Sequence, residues 1–180
     1  FVATEEQEKN YSFTNGLIRQ LEEKKLFTKS KICLLPKQTR SQSETVYEAI
    51  KKENVSGYFY IKDSDSYFDT EITDTKNIVS YGDLSNQGKI NASSKSYIEM
   101  DESKMVSNII EKKVVSSTFS VGGYGFESAD KFCETYDSLA SFDGECYVSH
   151  IIYEMMLMGE TFWGLKSENF EDYGTIEDWN

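Results

Sequence analysis

Between Phe1 and Asp63 the sequence alternates two kinds of hydrophobic pattern, and that order restricts the fold more than any other feature of the chain. "FVAT" reads as the end of a strand. Apolar residues at Leu17, Ile18, Leu21 and Leu26 then recur at helical spacing, with Thr14 as the expected N-cap. "KICLLP" is a short apolar run closed by the only proline, which suits a buried strand. "SETVYEAIKKE" predicts a second helix, capped at Ser43 and ending in lysines that complement the helix dipole. "GYFYIKD", Gly57 to Asp63, is aromatic and β-branched and predicts the next strand. Strand, helix, strand, helix, strand is the order of parallel βαβ crossovers.

Past Asp65 the pattern changes. "KNIVSYGDL", "KSYIEMD" and "MVSNIIEKK" are strand-like runs separated by turn residues, which predicts antiparallel or mixed additions to the sheet. "TFSVGGYGFE" predicts a strand whose interior glycines let a ligand or another backbone come close. "SADKFCETYDSLA" and "YVSHIIYEMMLMG" predict helices, the second stopped by Gly159, and "TFWGLKSE" predicts a last strand. A chain of 180 residues without repeat or linker is expected to form one domain over residues 1–180, of the α/β class.

The net charge of −12 excludes partners that are bound through a positive patch, which sets aside nucleic acids and anionic membrane surfaces. An anionic small ligand would need a local cation, a metal or helix N-termini. The three cysteines, Cys33, Cys133 and Cys146, are widely spaced and lack a CxxC pair, so no disulfide framework or zinc site is predicted and a reduced, cytoplasmic setting is expected. "FVATEEQE" has neither the cationic nor the apolar region of a signal peptide, and a chain that starts at Phe1 is expected to be preceded by further residues.

Candidate chemistry gathers at "IKDSDSYFD". Asp63, Asp65 and Asp69 follow the end of a strand, where open α/β sheets bind ligands, so they are either ligands for a hard cation such as Mg2+ or a solvated acidic turn. His150, inside an apolar helix, reads as a hydrogen-bonded core or boundary residue rather than a base. Met155, Met156 and Met158 read as core filler, and Trp163 and Trp179 as candidates for the rim of a site.

The order of "SQSETVYEAI", "IKDSDSYF", "NIIEKK", "SVGGYGF", "YVSHIIYEMMLMGETFW" and "EDYGTIEDW" resembles the nucleotidyltransferases that activate sugar phosphates and related phosphorylated alcohols. The resemblance covers nearly the whole chain but begins after that family's first βα unit. It implies a Rossmann-like, three-layer mixed sheet with helices on both faces, N-terminally incomplete here. It further implies an NTP and a phosphorylated sugar or alcohol as substrates and Mg2+ as cofactor. Asp65 and Asp172 take the places of the two metal-binding, catalytic aspartates. Glu111 and Lys112 match the Glu-Lys-Pro stretch that binds the sugar and faces its phosphate, with Lys113 in place of the proline. Gly123 fits the glycine that packs on the acceptor, and Gln42 and Ser43 fall where the nucleobase is bound, after Ser41 in place of a glycine. Glu171, Glu177 and Asp178 are expected to be solvated neighbours of Asp172.

Three departures keep other readings open: Ser41 for a glycine, Lys113 for a proline, and the missing front end. The family's Gly-rich phosphate loop would lie before Phe1, and no GxGxxG or GxxxxGK pattern is present, so the chain by itself is expected to bind NTP poorly. One alternative is a non-catalytic module of this fold that binds a nucleotide sugar or a protein. The other is a glycosyltransferase, for which Asp63-Ser64-Asp65 supplies the DxD pattern.

Overall fold

The computed structural model describes residues 1–86, 91–139 and 144–175. Glu177, Asp178 and Trp179 lie outside the described residues. Strands β1 (Val2–Thr4) and β2 (Cys33–Leu35) pair in parallel, with Val2 opposite Cys33 and Thr4 opposite Leu35. The expected single helix between them is two. In α1 (Glu5–Tyr11), the Thr4 hydroxyl accepts the Gln7 N–H while the Gln7 side chain accepts the Thr4 N–H, a reciprocal cap. α2 (Phe13–Glu23) follows Ser12, held in the left-handed region at φ 49°. Thr14 is therefore not the cap. It lies in the first turn of α2, where its N–H donates to Glu8 Oε2 at 2.6 Å, so a carboxylate from α1 satisfies the helix start.

α3 (Gln42–Glu53) also starts earlier than predicted. Ser41 Oγ accepts the Glu44 N–H at 3.2 Å, which makes Ser41 the cap and leaves Ser43 inside the helix, fully buried. Lys51 and Lys52 occupy its last turn as expected. β3 (Phe59–Lys62) breaks the parallel pattern, because it pairs antiparallel with β8 (Thr118–Phe126) and joins neither β1 nor β2.

β8 is the long centre of a six-stranded sheet in the order β7 (Val106–Glu111), β6 (Ser96–Met100), β8, β5 (Ile78–Asp83), β9 (Trp163–Lys166), with β3 also on β8. The β5–β9 pairing is parallel and the others are antiparallel, so the sheet is mixed as predicted. Every residue of β8 from Phe119 to Phe126 is buried, and the period-2 alternation of a strand sends its side chains into two cores.

On one face Tyr124 and Phe126 pack with Ile50 of α3, Phe132 of α4 (Ala129–Ser138), and Ile151 and Ile152 of α5 (Val148–Leu157). The Phe126 ring stacks on Phe59 at 5.2 Å and meets Phe132 edge-on at 5.0 Å. On the other face Phe119 and Val121 pack with Tyr97, Phe68 and Phe170. Phe68 and Phe170 come from β4 (Ser66–Asp69) and β10 (Glu168–Asp172), an antiparallel ribbon with Asp172 opposite Ser66. The architecture is thus a mixed α/β one, a central sheet flanked by helices.

The remaining expectations divide. All three cysteines are free and buried. His150 Nδ1 accepts the Tyr147 N–H at 3.2 Å and so closes the start of α5. Gly159, at φ 94°, follows the end of α5. Met155 is in the core, but Met158 is exposed because it lies past the buried face of α5. Among the described residues no helix is long and apolar enough to cross a membrane.

Candidate active site

A cleft of about 1090 Å³ runs along the helical face of the sheet. At one end it is apolar, walled by Val2, Val46, Ile50 and Phe59. At the other end stand Asp63, Asp65, Lys95, Glu111, Lys112 and Asp172.

The β4–β10 ribbon brings Asp65 and Asp172 together from positions far apart in the sequence. Tyr173 N–H donates to the Asp65 carbonyl at 2.7 Å, and Gly174 N–H donates to Asp172 Oδ1 at 3.2 Å. A Cβ added at Gly174 would lie 3.2 Å from Asp172 Oδ1 and 3.5 Å from Asp65 Oδ2. An oxygen of each carboxylate therefore lies close to the same side of Gly174. Hard oxygen donors in this number suit Mg2+, which is commonly held by one or two carboxylates and otherwise keeps water or phosphate. Among the described residues no group of three or more His, Cys, Asp or Glu side chains could hold a metal.

Asp63 sits behind this pair. Gln42 Nε2 donates to its Oδ1. Burial, helped by the nearby Asp65, pushes its pKa up to about 7, while Lys62 and Gln42 oppose the shift. Gly122, at φ 87°, makes room for it, since a Cβ there would be 2.6 Å from Asp63 Oδ2. Lys62 Nζ donates to the Asp63 carbonyl at 2.7 Å and to the Ser66 carbonyl, and lies 4.7 Å from the centre of the Phe68 ring. Burial lowers its pKa against the pull of Asp63 and Asp65. Lys95 Nζ forms an ion pair with Asp172 Oδ2 and lies 5.3 Å from the centre of the Phe170 ring.

Across the cleft, Glu111 accepts the hydroxyls of Ser96 and Ser149, the latter at 2.5 Å. Lys112 is at φ 54°, a left-handed turn fixed by its N–H donating to the Lys95 carbonyl at 3.0 Å. That turn ends the strand and aims the side chain into the cleft. Its ammonium donates to Tyr147 Oη, which in turn donates to Glu145, and the Tyr147 contact raises the Lys112 pKa.

Asp65, Asp172, Glu111, Lys112 and Gln42 thus line one cleft. Two expected residues do not. Ser43 is fully buried within α3 and stands away from the cleft, because the cap falls on Ser41. Gly123 faces the opposite side of β8, where a Cβ would run into Tyr60 Oη and lie 2.7 Å from Phe68 Cζ; Gly122 is the glycine on the cleft. Consecutive residues of a strand point to opposite faces, so a one-residue choice decides the side. Trp163 is in β9 and outside the cleft lining, and Glu171 is exposed beside the Tyr173 hydroxyl that it accepts. Lys95, Ser96, Ser149 and Tyr147 were not singled out from the sequence.

No protein-family model and no curated protein sequence matches this chain. Solved structures do. A nucleoside-diphosphate-sugar pyrophosphorylase from Vibrio cholerae RC9 superposes over 99% of this chain and 77% of its own, with a TM-score of 0.77 at 19% identity. The inositol-1-phosphate CTP transferase from T. maritima matches over 99% of this chain and 71% of its own, with a TM-score of 0.72 at 12% identity. A UDP-glucose pyrophosphorylase, complexed with UDP-glucose, matches over 99% and 77%, with a TM-score of 0.66 at 12% identity. At these identities the likeness establishes the fold, which is the sugar-phosphate nucleotidyltransferase-like one.

Proposed function

We propose that this domain transfers a nucleotidyl group from an NTP to a phosphorylated sugar or similar alcohol, with Mg2+ held by Asp65 and Asp172. The observation that supports this reading is the approach of those two carboxylates to each other beside Gly174, across the β4–β10 ribbon. A phosphate oxygen of the acceptor would form a bond to the α-phosphorus while the bond to the β-phosphate oxygen breaks, and pyrophosphate leaves with that electron pair. The divalent ion, when bound, neutralises charge that builds on the transferring phosphate.

The chain's own groups supply the rest. Glu111, already oriented by Ser96 and Ser149, is placed to accept hydrogen bonds from acceptor hydroxyls. Lys112 faces the acceptor phosphate from the cleft wall. Gln42, at the start of α3, reaches the nucleobase edge or orders Asp63 for it. In this reading a further βα unit, carrying a Gly-rich phosphate loop, lies between β1 and β3. Both strands leave an edge unpaired among the described residues and line the same cleft.

The test is pyrophosphate release by the full-length protein with a panel of NTPs and sugar phosphates. Asp65→Ala and Asp172→Ala should each lower it by about a hundredfold or more. Unchanged turnover in both would remove the assignment. One observation favours a non-catalytic nucleotide-sugar module instead: the Lys95 ammonium occupies an oxygen of Asp172. Binding of a nucleotide sugar with no pyrophosphate release from any pair of substrates would establish that reading.

A further inference from the structure

Three lysines stand at the acidic end of the cleft, Lys62, Lys95 and Lys112. Lys62 is held by the carbonyls of the turn after β3, and Lys112 rests on the Tyr147 hydroxyl on the acceptor side. Lys95 differs, because its ammonium pairs with a carboxylate that the proposed function needs for another cation. We propose that Lys95 is an exchangeable counter-ion: it holds Asp172 in place when the site is empty of metal, and it moves to the substrate phosphates when a divalent ion takes that carboxylate. This rests on the assignment of Asp65 and Asp172 as the metal ligands.

The geometry favours exchange over a permanent ion pair. The Lys95 side chain is 15% exposed and that of Asp172 21%, so the pair is dry enough to matter and open enough to be displaced. The ammonium also lies by the ring of Phe170, which is itself fixed edge-on against Phe119 at 5.3 Å. The lysine stem has a rigid platform to pivot on, and its flexible four-carbon chain can carry the charge a few ångströms without backbone movement. The Lys95 backbone is anchored, since its carbonyl accepts the Lys112 N–H and the next residue, Ser96, donates to Glu111. One short segment therefore ties the metal carboxylate to the acceptor side of the cleft. Two carboxylates and a divalent ion would together be near neutral, and the released ammonium would then be a net positive charge facing phosphate in a chain of net charge −12.

The probes are Mn2+ alone and inorganic pyrophosphate with saturating Mn2+, each titrated by calorimetry into the full-length wild type, Lys95→Met and Lys95→Arg. Losing the competitor should tighten Mn2+ binding by about fivefold in Lys95→Met. Losing the cation should weaken pyrophosphate by about tenfold, with Lys95→Arg within about threefold of wild type. Unchanged Mn2+ and pyrophosphate affinities in Lys95→Met, with Mn2+ binding still abolished by Asp172→Asn, overturn the exchange while leaving the metal site intact. Absence of Mn2+ binding in every form overturns both. A measurement on the wild type covers the case in which Lys95→Met does not fold. The 13C-dimethyl-lysine resonance that is lost in Lys95→Arg should shift with the Mg2+ titration, and a fixed resonance would overturn the proposal.

Discussion

The six-stranded sheet and the β1–β2 pair come from similar raw material, short apolar runs bounded by turns, but their edges end differently. β8 is paired on one side by β5 and on the other by β6 and then β3, and both of its faces are covered. The β1–β2 pair is joined at three positions, with α1 and α3 against it, and the edge of β1 that is unpaired among the described residues opens on the cleft. An unpaired edge exposes backbone donors and acceptors that must find water or another strand. Local burial is similar in the two places, as Leu35 at 3% exposure and Tyr124 at 5% illustrate. Stability should therefore be graded by edge closure more than by the burial of individual side chains.

The sharpest way to break this contrast is to delete one side chain on each side of it. Phe126→Ala, in the covered sheet, should cost about 4 kcal/mol in denaturant unfolding, whereas Leu35→Ala should cost about 2 kcal/mol because its layer can relax toward the cleft. Equal losses would show that β1–β2 is as tightly coupled as β8. Gly123→Ala comes next, at about 3 kcal/mol, since the new methyl meets Tyr60 and Phe68 inside the covered sheet. A cost near zero would mean that this face of β8 is looser than its burial implies.

The smallest effect is a titration on the covered side of the comparison, in the α5 helix that packs against β7. Burial holds the His150 pKa below its usual 6.5, and its neutral Nδ1 caps α5. A base with a lowered folded pKa contributes stability above the unfolded value and loses it as pH falls through 6.5 toward the folded one. His150→Gln should flatten that slope by less than about 1 kcal/mol, because the ring is only partly buried. A slope unchanged by the substitution would place the acid sensitivity elsewhere.

Much of this was legible in the sequence, for identifiable reasons. The strands of the large sheet and the helices α3, α4 and α5 are long or strongly periodic, and their patterns report the face that each buries. The ribbon was not legible, because "SYFD" and "ENFED" each bury one phenylalanine and otherwise show polar residues to water. Asp65 and Asp172 could be paired only by resemblance, since the ribbon that joins them has no local signature. The cap at Ser41 and the cleft glycine at Gly122 were each displaced by a short step along the chain, where serine or glycine neighbours offer equal propensity and tertiary packing decides. Lys95 gave no signal as a site residue, because the identity of its partner is fixed by the ribbon alone.

That ribbon also sets a schedule. Asp65 is synthesised early and must wait for nearly all the remaining described chain before β10 arrives opposite β4. At ordinary translation rates of roughly 5–20 residues per second, the nascent protein carries one of the two cleft carboxylates without the other for several seconds. During that interval the large sheet can form around β5, β6 and β8, but nothing dependent on both carboxylates can begin. Completion of the ribbon is therefore the event that brings the two carboxylates onto one cleft.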